Sequence, residues 1–142
     1  MIRWPGKIAP NTTSEQISIS FDLSRSIINL SGVNTSELRL DGYDIVNHLA
    51  REKDDFERTL FWRKKRGVGV DKAIIDGAYK YLIVLTNDTI TDQKLFRLKD
   101  DPSELNDLLV THPEKANELK EKLRAWEKEV AAPRLRDFSK QN

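Results

Sequence analysis

The densest chemistry in this chain is a run of four cations, Arg63-Lys64-Lys65-Arg66, followed by Gly67-Val68-Gly69. Cations beside a flexible glycine pair can grip a sulfate, a sulfated sugar or a nucleic-acid backbone, where they neutralise phosphates and release counterions. The same run also reads as a solvated loop between two strands, and both readings stand at this point. Gly67-Val68-Gly69 does not open a helix after a strand, so it is not a dinucleotide-binding fingerprint. His48 and His112 are the only histidines, and neither has a second His or a Glu at the spacing by which zinc gathers its three or four ligands. A helix cap accounts for His112 and the edge of a short helix for His48. Asp100, Asp101, Glu104 and Asp107 form an acidic cluster, but it contains Pro102 and lacks the central glycine of a calcium loop. Asp101-Pro102 reads instead as a turn opener. Asp22 and Asp41 would make a catalytic pair only if close together with separated pKa values, and a cap role and a turn role account for them without catalysis. With no Cys in the chain, disulfides and thiolate metal sites are excluded.

The elements that must position these groups fall into two styles. Near the start, Pro5-Gly6 marks a turn and Pro10 to Ser14 a loop. Ile17, Ile19 and Phe21 alternate with polar residues, which predicts a half-buried strand. Asp22 then reads as a helix N-cap, with Leu23, Ile27 and Leu30 as the apolar side and Gly32 as the stop. Leu40-Asp41-Gly42 marks a turn before a short helix in Tyr43 to Arg51, with Ile45, Val46 and Leu49 inward. Glu52-Lys53-Asp54-Asp55 is a charged break.

Beyond the break the pattern turns to strands. Thr59 to Trp62 is β-branched and aromatic. Lys72 to Ile75 and Tyr79 to Val84 flank Asp76-Gly77, which predicts a type I′ hairpin. Asn87-Asp88-Thr89 turns the chain into Lys94 to Leu98. A small antiparallel sheet of about four strands follows. Thr111-His112-Pro113-Glu114 has capping-box spacing, and Ala116, Leu119, Leu123, Trp126 and Val130 form one helical stripe that ends before Pro133. That stripe is expected to cover one face of the sheet, with Trp126 as core.

Bulk properties fit these assignments. The chain is 38% hydrophobic and 33% charged with a net charge of +1, and its mean hydropathy is −0.60. A near-neutral balance gives no global field for nucleic acid or an acidic membrane. No stretch has the apolar length of a membrane span, and Met1 to Pro5 lacks the apolar core of a signal peptide.

Several short signatures recur in a telling order: Ile2-Arg3-Trp4-Pro5-Gly6-Lys7-Ile8, Leu40-Asp41-Gly42, Leu60-Phe61-Trp62-Arg63, Asp76-Gly77-Ala78-Tyr79-Lys80-Tyr81, and Asp101-Pro102-Ser103-Glu104 leading to His112-Pro113-Glu114. Their spacing resembles the C-terminal part of the sulfatases, from Ile2 to about Val130. Asp22-Leu23-Ser24-Arg25-Ser26 departs from the family's Asp-Leu-Leu-Pro-Thr by losing the proline. The resemblance implies an α+β architecture: a remnant of the large α/β sulfatase domain in residues 1–55, an antiparallel sheet with its covering helix in 56–132, and a tail in 133–142.

It also implies a parent chemistry. Sulfatases hydrolyse sulfate esters with an oxidised Cys or Ser in a Cys/Ser-x-Pro-x-Arg motif, assisted by a divalent cation, calcium. The residues two places before the five prolines are Arg3, Ile8, Asp100, Thr111 and Ala131, so that nucleophile is not in this chain. The family's metal ligands lie upstream of the segment that begins at Arg3. The chain is therefore expected to carry no catalytic residue and no metal ligand, and to be inactive alone. Arg63, Lys64, Lys65 and Arg66 are its candidate substrate-binding residues. The implied partners are a sulfated substrate and the missing catalytic portion or a second copy of the chain, with neither nucleic acid nor membrane among them. The alternative is a free-standing binding or assembly module for a sulfated glycan or a partner protein. The family is often exported, periplasmic or lysosomal.

Overall fold

The computed structural model describes residues 1–34, 40–51 and 54–130. The tail at 133–142, which begins with Pro133, lies outside the described residues, as do Glu52 and Lys53 of the charged break. The chain divides into two compact units, Met1–Glu57 and Arg58–Asn142.

In the second unit, β1 (Thr59–Arg66), β2 (Gly69–Asp76), β3 (Tyr79–Thr86) and β4 (Thr89–Arg97) form a sheet in the order β1-β2-β3-β4, and α3 (Pro113–Val130) follows. Every neighbouring pair is antiparallel. Phe61, Ile74, Tyr81 and Leu95 stand opposite one another across the strands, so the alternation of side chains puts them on one face. Ala116, Leu119 and Leu123 of α3 complete a buried cluster with Ile74, Tyr81, Ile83 and Leu95. Each fully buried leucine there is worth roughly 1.5–3 kcal/mol. This is the α+β arrangement the stripe and the strands called for. Trp126 differs in degree: it is half-buried and stacks on Phe61 at the margin, with ring centroids 5.0 Å apart and planes 4° from parallel.

Details at the element ends also differ from the sequence reading. Asp76 pairs with Tyr79, so the hairpin loop is Gly77-Ala78, and only Gly77 has positive φ, at 56°. The doubly positive pattern of a type I′ turn occurs instead at Asn87 and Asp88, with φ of 49° and 61°. The long helix starts one residue late for a Thr111 cap. The His112 carbonyl accepts from Ala116 N at 3.1 Å, while the Thr111 hydroxyl turns back to donate to the Leu108 carbonyl. Pro113 then takes the first helical position, where no donor is needed.

The first unit holds α1 (Ser20–Leu30) and α2 (Ile45–Ala50). No strand forms at Ile17 to Phe21; Ile17 and Ile19 are half-buried in extended chain, and Phe21 already belongs to α1. Asp22 is not the N-cap but the third helical residue, and its Oδ2 accepts from Ile19 N at 2.8 Å to close the first turn from inside. The larger departure is that α1 is turned over. Asp22 and Ser26 are fully buried, whereas Phe21, Leu23, Ile27 and Leu30 are 58, 44, 65 and 44% exposed.

Hydrogen bonding explains the inversion. Asp22 Oδ1 accepts from Tyr43 N at 2.8 Å, and Ser26 Oγ accepts from Val46 N at 3.1 Å while donating to the Asp22 carbonyl at 2.7 Å. The polar side of α1 thus satisfies the backbone leading into α2, whose donors would otherwise be buried without partners. Gly42 permits the approach: a Cβ there would lie 2.1 Å from the Phe21 carbonyl oxygen, so no other residue fits.

Candidate functional site

The four cations do not form a loop. Arg63, Lys64, Lys65 and Arg66 are the distal half of β1, paired with Lys72, Asp71, Val70 and Gly69, and the connection is only Gly67-Val68. The charges follow hydrophobic strand residues without a break signal, so the ladder simply continues through them. Extended chain sends successive side chains to opposite faces. Arg63 and Lys65 share the face on which Phe61 meets α3, and Lys64 and Arg66 share the other. The strand thus divides the four side chains between its two faces. Arg66 is already engaged by Asp71 across the hairpin. On the helix side, Lys72 is held by Glu127 at 2.7 Å. Arg63 and Lys65 remain exposed with no hydrogen bond or ion pair among the described residues.

The acidic cluster is spent on structure. Asp101 accepts from Leu105 N and Asn106 N at 3.1 and 2.7 Å, and these backbone donors hold its carboxyl below the usual range. Asp107 Oδ1 accepts from Leu95 N and Leu109 N. Glu104 binds Lys80 through both oxygens, at 2.6 and 2.8 Å, and Asp100 pairs with Arg97. These carboxylates are engaged within the protein, and among the described residues no three His, Asp or Glu side chains gather for a metal.

The sequence reading missed a site in the first unit. Its cavity of about 470 Å³ is lined by Arg25, Asn29, Gly42, Tyr43, Asp44, Asn47, His48 and Arg51. The residues come from α1, from α2 and from the turns that flank α2, brought together by the contacts that invert α1. Asp44 caps α2 through Asn47 N and also accepts from the Asn29 and Asn47 side-chain amides at 2.8 and 2.6 Å. Burial works to raise its pKa, but these donors outweigh burial and hold the carboxyl below its ordinary range. Arg25 Nη1 donates to the Leu40 carbonyl at 3.2 Å, and the exposed Arg51 side chain has no partner among the described residues. His48 is not at a helix edge as the sequence suggested. It is 4% exposed, packs edge-on against Tyr43 and Phe56, and neither ring nitrogen has a hydrogen-bond partner among the described residues. The only sequence signal for this cavity was a His, an Asp and two Asn at helical spacing beside Arg, which composition alone does not distinguish from a solvated face.

The family model described as N-sulphoglucosamine sulphohydrolase, C-terminal, matches residues 1–130. The chain belongs to that sulfatase family. An uncharacterized sulfatase of Schizosaccharomyces pombe is 29% identical over 146 residues, which is 94% of this chain and 26% of the relative. Among solved structures, BT4656, in complex with its substrate D-glucosamine-2-N,6-O-disulfate, is similar with a TM-score of 0.72 at 19% identity, over 99% of this chain and 29% of that one. The yidJ protein of Bacteroides fragilis, provisionally named a sulfatase, has a TM-score of 0.70 at 18% identity, over 92% and 29% of the two chains. This sulfatase segment thus spans between a quarter and a third of the length of these relatives. It has the fold of their C-terminal part, an antiparallel sheet with a covering helix.

Proposed function

We propose that this chain serves as the C-terminal segment of a sulfatase acting on a sulfated carbohydrate, and that it docks through α1 onto the catalytic portion, whether that portion is joined to it or separate. The observation that carries the docking is the inverted helix. Its polar side is occupied by Tyr43 N and Val46 N, and its apolar side, Phe21, Leu23, Ile27 and Leu30, faces outward. A contiguous apolar face of this kind marks an interaction surface. The substrate class is supported by the family's own description and by the disulfated glucosamine bound to BT4656. Sulfate-ester hydrolysis would use a nucleophile and a divalent cation from the catalytic portion, since no Cys is present here and among the described residues no three His, Asp or Glu side chains gather for an ion. What the chain itself would contribute is the packed sheet, with Arg63 and Lys65 on one face and Lys64 and Arg66 on the other.

The test mixes or fuses the chain with a sulfatase catalytic portion that lacks its own C-terminal segment, using glucosamine 2-N,6-O-disulfate as substrate. The chain alone should release no sulfate, the joined protein should, and Ile27→Glu should abolish association. A strictly monomeric chain that leaves the catalytic portion unaltered would overturn the docking. A second reading, a free-standing grip for sulfated glycans, rests on the unpaired Arg63 and Lys65. It calls for weak binding that fades with salt, because exposed charges are screened beyond about 8 Å at physiological ionic strength. Arg63→Ala with Lys65→Ala should lose that binding while Lys64→Ala with Arg66→Ala keeps it; equal affinities for the two doubles would remove the strand from consideration.

A further inference from the structure

We infer that Asn87, at the tip of the β3–β4 hairpin, is an acceptor for an N-linked glycan, with Asn11 as a second acceptor. Four asparagines, Asn11, Asn29, Asn34 and Asn87, are followed two places on by Thr or Ser with no proline between. That spacing is the signal for transfer of a saccharide to the Asn amide in exported proteins. At this chain's Ser and Thr content, chance would supply about one such tripeptide among its eight asparagines, so the excess calls for a reason. The inference does not depend on how α1 docks.

The reaction sets its own demands. Asn Nδ2 attacks the anomeric carbon of an oligosaccharide carried on a polyprenyl diphosphate. A C–N bond forms, the C–O bond to phosphate breaks, the lipid diphosphate leaves, and Nδ2 gives up one proton. Nothing is oxidised or reduced. The attached saccharide is bulky and hydrated, so the folded protein must hold that Nδ2 in solvent.

The four tripeptides meet this demand unequally. Asn87 and Asp88 are the two exposed loop residues of the hairpin, both at positive φ, and Thr89 is the exposed first residue of β4. The Asn87 backbone N–H donates to the Val68 carbonyl at 3.2 Å, which fixes the main chain. Its side-chain amide makes no hydrogen bond among the described residues. Val68 beside it is 72% exposed, and residues 89–92 are the exposed half of β4, an edge strand of the sheet. An unpaired strand edge is a template for another chain, and a hydrated saccharide at Asn87 would shield it. Asn11 is likewise exposed, with φ of 57°, and is followed by exposed Thr12 and Thr13. Asn29 is the opposite case. It lies inside α1, its amide donates to Asp44 Oδ2 at 2.8 Å, and Ser31 Oγ donates back to the Ile28 carbonyl at 2.7 Å. A glycan on Asn29 would pull a donor from the residue that caps α2. Asn34 is exposed, and its Thr35 and Ser36 lie outside the described residues.

The test expresses the 142-residue chain in yeast behind a cleavable secretory leader and recovers the soluble, leader-cleaved protein. Peptide N-glycosidase converts each glycosylated Asn to Asp, and peptide mass spectrometry reads the conversion site by site. Conversion is expected at Asn87 and Asn11 and not at Asn29. Thr89→Ala should abolish it at Asn87 and leave it at Asn11, whereas Thr89→Ser should keep both. Thr89 is exposed, so neither variant should change the melting temperature of the deglycosylated protein. No conversion at Asn87 in the unaltered chain, conversion there that survives Thr89→Ala, or equal conversion at Asn29 would each overturn the assignment. The Thr89→Ala protein should also self-associate more than the Thr89→Ser protein by light scattering. Equal scattering from the two would overturn the shielding of β4.

Discussion

The two helices with amphipathic sequences, α1 and α3, solve opposite problems. In α3 the apolar stripe points inward, and Ala116, Leu119 and Leu123 are buried against Ile74, Tyr81 and Leu95. In α1 the apolar stripe points outward, and the buried positions are Asp22 and Ser26. The sheet that α3 needs is the element group that precedes it in the same unit, so its partner is present and the hydrophobic effect decides its orientation. For α1, the groups at hand are backbone N–H donors of the turn into α2. A buried unpaired donor costs about 1–3 kcal/mol, so Asp22 and Ser26 are held inward to serve Tyr43 and Val46. The contrast teaches that a stripe reports that a surface is to be covered, not whether its cover is the nearest part of the chain.

The largest way to test this contrast is Leu119→Ala. Leu119 is fully buried, and such truncations cost about 2–5 kcal/mol, enough to melt a module of this size; chemical denaturation should show the sheet unit losing its transition. Ile27→Ala, matching it on α1, should change stability by less than about 0.5 kcal/mol, as surface substitutions do. A comparable loss at both positions would show that α1 is covered within this chain.

Next comes Asp22→Ala, which strips acceptors from Ile19 N and Tyr43 N together. It should destabilise the first unit by about 1–3 kcal/mol and leave the sheet unit intact, seen as earlier proteolysis confined to residues before Glu57. Trp126→Ala belongs slightly below it. A half-buried ring stacked on Phe61 should cost about 2 kcal/mol, between the value of a stacked pair alone and that of full burial. A melting temperature unchanged within error would show that the stack is not formed in solution.

Acid should produce the smallest effect. The carboxyl of Asp44 is held below its ordinary value in the folded protein, burial opposing the shift and the Asn29 and Asn47 donors producing it. A depressed folded pKa contributes stability above the unfolded value, about 3.9, and that contribution is lost as pH falls through the folded value. The Asp76 carboxyl is likewise held low, with burial opposing and Lys122 and Thr59 producing the shift. Both units should therefore soften below about pH 4. Asp44→Asn should flatten this acid limb for the first unit alone, and Asp76→Asn should shrink that of the second, where Asp101 also contributes, as read by melting curves at pH 6 and pH 3. An acid limb in the first unit that survives Asp44→Asn would reassign it to another group.

What the sequence determined by itself was most of what is local in period, although the alternation at Ile17, Ile19 and Phe21 formed no strand. Alternating Ile, Tyr and Leu specified β2 and β3, and the stripe from Ala116 to Leu123 specified both a helix and the face it buries. The order of short motifs from Arg3 to Glu114 was enough for the family. The tertiary structure decided what periodicity does not contain. Arg63 to Arg66 stayed in strand because β2 was there to pair with them, which divided their charges between two faces. Asp22 went from presumed cap to buried acceptor because Gly42 lets the backbone of a distant turn approach it. The cavity around His48 exists only because that approach folds α2 back against α1. Side-chain pattern reports how an element repeats; which hydrogen-bond donors and which surfaces arrive beside it is settled by long-range contacts, and those set the orientation of α1 and the contents of its site.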